Sequence, residues 1–236
     1  MECKVGDVVM PGNIIQEADA LAKESKKVVL GNGLRLENDS AVSSKSGLLC
    51  KRKNIFYVDS YQKKYIPAKN DNVIGIVQSK TLEFFWVDIS YSELAILPYL
   101  AFEGATKKNR PEINVGDLVY AKVVLANPDL EAELVCVDST GKKGKLGELK
   151  DGLMFSCSIN LVRKILNEKC NLLHLLSKEC PYELVAAING RIWINTKSLR
   201  ATILLRDTIL EAEHTAYNQM KDLVDRFATE LTGIKI

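Results

Sequence analysis

Long apolar runs are missing from this chain of 236 residues. No stretch approaches the roughly 18 to 20 consecutive apolar residues a membrane helix needs, and Met1 to Met10 lacks the apolar core of a secretory leader. The expectation is a protein that stays inside the cell, with no membrane partner. Charge of one sign is also scarce: 32 basic against 30 acidic side chains leave +2. That is too little to coat nucleic acid with a general field of lysines, because counterion release needs several cations on one surface. Any nucleic-acid contact is then local.

Clustered ligands and nucleophiles are lacking too. Cys3, Cys50, Cys136, Cys157, Cys170 and Cys180 are scattered with no C-x-x-C pair, so they predict reduced, mostly buried thiols, with no metal and no cofactor. The two histidines, His174 and His214, sit in helical stretches without a patterned partner and predict structural or surface roles. A metal-dependent nuclease needs carboxylates converging on its ions. Here Asp7, Asp117 and Asp138 belong to turns, and Glu211 and Glu213 lie on different faces of one helix. No G-x-S-x-G elbow, Walker loop or H-E-x-x-H appears, so an enzyme is the minority reading.

What is present is a globular composition, 47% hydrophobic and 26% charged. The first part, 1–64, is broken into short apolar runs at Val5 to Val9, Val28 to Leu30, Gly47 to Leu49 and Ile55 to Val58, which predict a small β domain. Gly31-Asn32-Gly33 reads as a turn; Leu36 replaces the third glycine a dinucleotide fingerprint needs.

From 65 to 143 five strands are predicted: Asn72 to Gln78, Glu83 to Ile89, Leu94 to Leu100, Leu118 to Leu125 and Ala132 to Asp138, the number that builds an OB-type barrel. Alternation points Phe85, Val87 and Ile89 inward and Phe84, Trp86 and Asp88 outward. Val115-Gly116-Asp117-Leu118 repeats Val5-Gly6-Asp7-Val8, a tight turn feeding a strand, with Gly for backbone freedom and Asp for a local hydrogen bond. Between the third and fourth strands a polar loop carries Lys107, Lys108, Asn109 and Arg110 ahead of Pro111. OB barrels bind single strands by stacking bases on aromatic rings while cations track the phosphates. Phe84 and Trp86 are therefore candidate platforms, or else cover a neighbouring domain, and Lys107, Lys108, Asn109 and Arg110 are candidate RNA contacts. Gly141 to Lys145 is a second basic stretch at the domain boundary.

From 144 to 236 the period becomes mixed. The pattern predicts a strand over Leu153 to Ile159, a helix capped by Asn160, a second capped by Asn171 and ended by Pro181, a hairpin, a helix from Ser198 to Glu213 and a last helix from Asn218 to Leu231. Asn189-Gly190 predicts a two-residue hairpin turn with positive φ at both positions. The fold class is thus multidomain, β followed by α+β, and the element order of the last part has the topology of a eukaryotic-type KH domain.

The string Phe102-Glu103-Gly104-Ala105-Thr106-Lys107-Lys108-Asn109-Arg110-Pro111, with Tyr57-Val58-Asp59-Ser60, Asp71 to Val77, Val115 to Tyr120 and Asn189-Gly190-Arg191-Ile192-Trp193, resembles the S1/KH-type cap subunits of the eukaryotic RNA exosome nearly end to end. The resemblance implies an N-terminal β domain, a central S1-type OB domain and a C-terminal KH domain. It implies a non-catalytic protein that sits on a ring of six RNase PH-like subunits beside other cap subunits. There it stabilises the ring and guides single-stranded RNA 3′ ends towards separate nuclease subunits, in nucleus, nucleolus and cytoplasm. A pure scaffold of the same assembly is the alternative, and an RNA hydrolase in its own right the more distant one.

Two departures bear on the KH part. Asn167-Glu168-Lys169-Cys170 stands where a G-x-x-G loop would clamp RNA, and Ala187 replaces the first glycine of the family's G-x-N-G signature. Asn189 and Gly190 are therefore expected to be a structural turn, and Trp193 to pack on a neighbouring domain.

Overall fold

The computed structural model describes residues 2–15, 28–106, 109–127, 129–138, 141–142, 144–168 and 170–233. They fall into two compact units, Met1–Gln62 and Lys63–Ile236.

The first unit holds β1 (Glu2–Cys3), β2 (Val8–Val9), β3 (Ile14–Ile15), β4 (Val29–Leu30), β5 (Leu34–Glu37), β6 (Ser40–Ser43), β7 (Gly47–Arg52) and β8 (Ile55–Asp59). They form two four-stranded sheets, ordered β1-β3-β6-β5 and β2-β7-β8-β4. Val9, Ile15, Leu49 and Phe56 are fully buried between them. Burying each such side chain contributes about 1.5–3 kcal/mol. The expected strand over Val5 to Val9 shrinks to β2 because Gly6 turns the chain with φ +99°.

The second unit continues with β9 (Asn72–Lys80), β10 (Phe84–Asp88), β11 (Ala95–Pro98), β12 (Leu118–Asn127), β13 (Leu130–Val135) and β14 (Gly147–Leu149). The sheet order β13-β11-β10-β9-β12-β14, with β12 also paired to β13, closes five strands into a barrel. The sequence pattern ends this part at 143, yet β14 lies past that point and still pairs with Leu118 to Tyr120. Phe85, Val87 and Ile89 fill the barrel as alternation requires. Gly75 lets the Val87 side chain of β10 lie against the backbone of β9, since a Cβ there would lie 2.1 Å from Val87 Cγ1.

The repeated turn takes one form in both units. Asp7 and Asp117 each accept on a carboxylate oxygen from the amide three residues back, Lys4 at 3.0 Å and Asn114 at 2.8 Å. Gly6 and Gly116, at φ +99° and +97°, each donate their amide to a strand carbonyl, of Leu49 and Val77.

The last part runs β15 (Leu153–Ser156), α1 (Ile159–Leu166), α2 (Leu172–Glu179), β16 (Tyr182–Ala187), β17 (Arg191–Thr196), α3 (Leu199–Glu211) and α4 (Met220–Thr232). The helices cover one face of the antiparallel sheet β15-β17-β16, burying Leu161, Leu172, Leu176, Leu205 and Ile209. Asn160 is not the helix cap. Ser158 is, its Oγ accepting from the Leu161 amide at 3.0 Å while donating to Glu213 Oε1 at 2.6 Å. Asn171 stands at the start of α2 but makes no side-chain cap bond.

Candidate nucleic-acid interface

The barrel brings Phe84 and Arg110 together in one groove and leaves Trp86 to another. Phe84 opens β10 opposite Pro98, and the chain then turns through Tyr99 to Ala101. Tyr99 is pinned by its amide on the Glu83 carbonyl at 3.1 Å and by its hydroxyl on the Thr81 carbonyl, and its ring meets Phe85 edge-on at 4.5 Å. Arg110 places its guanidinium carbon 5.4 Å from the centre of the Tyr99 ring. Phe84, Tyr99, Leu100, Thr106 and Arg110, with Leu82 and Glu83, therefore share one groove of about 510 Å³. An aromatic wall beside a planar cation suits a base next to its phosphate.

Asn109 serves the loop itself. Its amide donates to Thr106 Oγ1 at 3.0 Å, its carbonyl accepts from the Thr106 amide at 2.9 Å, and its side chain reaches the Gly104 carbonyl at 3.4 Å. Lys107 and Lys108 lie outside the described residues. Trp86 does not line the Phe84 groove. It meets Phe84 at 5.2 Å with ring planes 85° apart, so the two rings present no common stacking surface. Trp86 faces instead a second groove, beside Glu93, Asp129 and Glu131.

The KH hairpin departs from expectation. Ala187 pairs with Arg191, so the turn has three residues, Ile188-Asn189-Gly190, and of these only Gly190 has positive φ, +77°. A three-residue loop ends with such a left-handed residue, a place suited to glycine. A side chain there is excluded a second way, because a Cβ on Gly190 would lie 2.7 Å from the Cys157 carbonyl oxygen.

The turn is sealed against the barrel. Asn189, 4% exposed, accepts from the Ile74 amide at 3.3 Å and donates to the carbonyls of Ile74 at 2.9 Å and Ile89 at 3.0 Å. The Ile188 amide bonds the Asn72 carbonyl at 3.1 Å. Arg191, 6% exposed, reaches the carbonyls of Ile74 and Asp88 and forms an ion pair with the Asp88 carboxylate at 2.6 Å. Trp193 is buried in a cluster with Ile74 and Ala187, and Leu118, Tyr120 and Leu149 of the barrel pack against it. These side chains have no face left for a nucleotide. The Asp88–Arg191 pair has no local sequence signal, since its partners stand 103 residues apart.

Burial, and secondarily Glu213, pushes the Cys157 thiol up to about 12, and burial raises Tyr120 as well. His174 and His214 are exposed. Glu211 pairs with Arg226 at 2.6 Å. Among the described residues no three metal-ligating side chains converge, and no helix is long and apolar enough to cross a membrane.

A five-stranded S1-type barrel locked to a KH-type module defines a class of multi-module S1/KH proteins. Two family models match, the S1 domain of exosome complex component RRP40 over 65–147 and a KH domain over 152–200. Exosome complex component RRP40 of Drosophila melanogaster is 49% identical over 88% of this chain and 90% of its own. The Homo sapiens protein of that name is 40% identical over 94% of this chain and 85% of its own. A crystal structure of a protein described as exosome-complex RNA-binding shares the fold at 24% identity and a TM-score of 0.61, covering 73% of this chain and 100% of that one. The chain belongs to the RRP40 family of exosome complex components.

Proposed function

We propose that this chain is a non-catalytic cap subunit of the exosome that binds single-stranded RNA on its S1 barrel and helps guide 3′ ends towards separate nuclease subunits. The observation that carries the reading is the shared groove of Phe84, Tyr99 and Arg110, with Lys107 and Lys108 three and two residues before Arg110 in sequence. Stacking on an aromatic ring is worth about 1–3 kcal/mol per base, and each phosphate neutralised adds a salt-dependent increment. Asn109 shapes the loop that presents Arg110. Trp86 stands apart from the RNA path.

The KH module takes an architectural role in this reading. Its signature Asn189 and its neighbours Arg191 and Trp193 are used up in holding the barrel. Contacts with the RNase PH-like ring subunits and other cap subunits, stabilisation of the ring, and residence in nucleus, nucleolus and cytoplasm complete the proposal.

The test is RNA affinity of the reconstituted complex across a salt series, with Lys107, Lys108 and Arg110 changed to Glu. Weaker binding with a shallower salt slope is expected; for single strands the slope changes by about 0.7 for each phosphate no longer neutralised. Unchanged affinity and slope would leave only a scaffold role.

A further inference from the structure

The barrel carries a second groove, of about 540 Å³, that the RNA reading does not use. Trp86 forms part of its lining from the outer side of β10, half-buried and braced at a right angle by Phe84. Leu94 and Leu130, 38% and 51% exposed, offer apolar surface beside it. Glu93, Asp129 and Glu131 supply the charge, all three exposed, and no lysine or arginine stands among the described lining residues. Glu133 adds a further carboxylate on the same side, because Glu131 and Glu133 alternate with buried Ala132 and Leu134 along β13.

This chemistry selects one class of macromolecule against another. A nucleotide strand could stack on Trp86, but its phosphates would then approach three or four carboxylates with no cation among the described lining residues to offset them, and like charges brought together oppose association. A cationic side chain meets the opposite situation. The face of an indole attracts a cation, and the planar guanidinium of arginine both stacks on such a ring and pairs with carboxylates in a fixed fork. Leu94 and Leu130 then need an aliphatic neighbour to cover them. A half-buried tryptophan with flanking leucines in a concavity is also the composition of a binding hot spot, in which one aromatic anchor dominates.

We infer that the Trp86 groove docks an extended segment of a partner polypeptide. An arginine of that segment lies against Trp86 within the carboxylate rim, and an aliphatic side chain beside it covers Leu94 and Leu130. The surface is independent of the RNA reading: it uses other residues and the opposite charge. Its position beside Phe84 leaves the Arg110 groove open, so one barrel can hold a basic protein segment and an RNA strand on adjoining sites.

The experiment uses the full chain labelled with ¹⁵N at tryptophan, which gives two indole signals, from Trp86 and Trp193. The Trp86 signal is assigned from its loss in Trp86→Phe. The probe is a blocked five-residue peptide of alternating arginine and leucine, with a glutamate-leucine peptide as control. The arginine peptide is expected to shift the Trp86 signal and leave buried Trp193 in place. Replacing Glu93 and Glu131 together by Gln, a surface change that keeps the fold, is expected to weaken binding about tenfold, the order for two exposed charge pairs. Oligouridylate is expected to leave the Trp86 signal where it is. The inference is overturned if the arginine peptide leaves Trp86 unmoved, if the Gln variant or the glutamate peptide binds as well, or if oligouridylate moves Trp86 and competes with the peptide.

Discussion

Arg191 grips Asp88 twice, Nη2 donating to its carboxylate at 2.6 Å and Nη1 to its backbone carbonyl at 2.5 Å. The arginine side chain is 7% exposed and the aspartate 27%, so the pair joins the two modules inside a largely dry seam. Removing one partner leaves a buried charge unpaired, which costs about 3–5 kcal/mol. Asp88→Ala is expected to lower stability by that order in urea denaturation. Arg191→Met combined with Asp88→Asn is expected to cost less than the two single changes added, giving a coupling term of about 0.5–3 kcal/mol. Strict additivity would show that the ion pair carries no energy.

Gly152 and Trp193 make a second, purely steric test. A Cβ on Gly152 would lie 2.3 Å from both Cε2 and Nε1 of the indole. The ring cannot retreat easily, because Ile74 and Ala187 are buried against it. Gly152→Ala is therefore expected to destabilise by about 1–3 kcal/mol, the usual cost of overpacking. Thermal unfolding with tryptophan emission as the probe would report both the lower stability and the displaced ring.

Lys164 of α1 ties down the turn that follows α3. Its ammonium donates to the carbonyls of Ala212 at 2.7 Å, Glu213 at 3.0 Å and Thr215 at 2.5 Å, which uses all three of its protons. These carbonyls belong to the turn just past Glu211, and a cation there also meets the negative end of the helix dipole. Lys164→Met keeps most of the side-chain volume and removes the donors. A destabilisation of about 1–3 kcal/mol is expected, with faster amide exchange in 211–216 than in α2.

Alkaline pH should weaken the protein through groups that the fold keeps protonated. Cys157 and Tyr182 are pushed from 9.0 and 10.0 to about 12, both chiefly by burial. Between the unfolded and folded values the folded chain binds more protons than the unfolded one, so stability falls as pH rises. The contribution of Cys157 is complete below pH 9 and is lost on the way to 12. The melting temperature is expected to decline from pH 9 upward, and Cys157→Ala should flatten that decline. An equally steep curve in the variant would assign the decline to the tyrosines and to Cys50, whose thiol burial also raises.

Periodicity made the barrel legible. Phe85, Val87 and Ile89 alternate with Phe84, Trp86 and Asp88, and the two sets divide between core and outer face. The same rule could not say that the outer face is itself partitioned, with Phe84 beside a cation, Trp86 among acids and Asp88 under an arginine. Those outcomes depend on strands and loops far away in the chain. Two-residue strands such as Ile14–Ile15 carry no period to detect. At the helix start, Ser158 and Asn160 are both residues that cap, and only the backbone at Ser158, extended at ψ 147°, decides between them. The turn chemistry of Asn189-Gly190 predicted a hairpin of the wrong length, two residues where the structure has three, because the asparagine is held by the carbonyls of Ile74 and Ile89 and not by the turn. That demand for a buried amide, set from over a hundred residues away, leaves no local trace.

The three-residue loop between Ala187 and Arg191 also acts as a spacer gauge. It fixes how far the tip of the hairpin reaches, and the amide of Asn189 meets β9 only at that reach. A single extra glycine in the loop would keep every residue of the seam and still carry the amide off its target. Length here matters alongside composition: a longer turn is expected to cost the seam the Asn189 hydrogen bonds while leaving the Asp88–Arg191 pair and the Trp193 cluster to hold it.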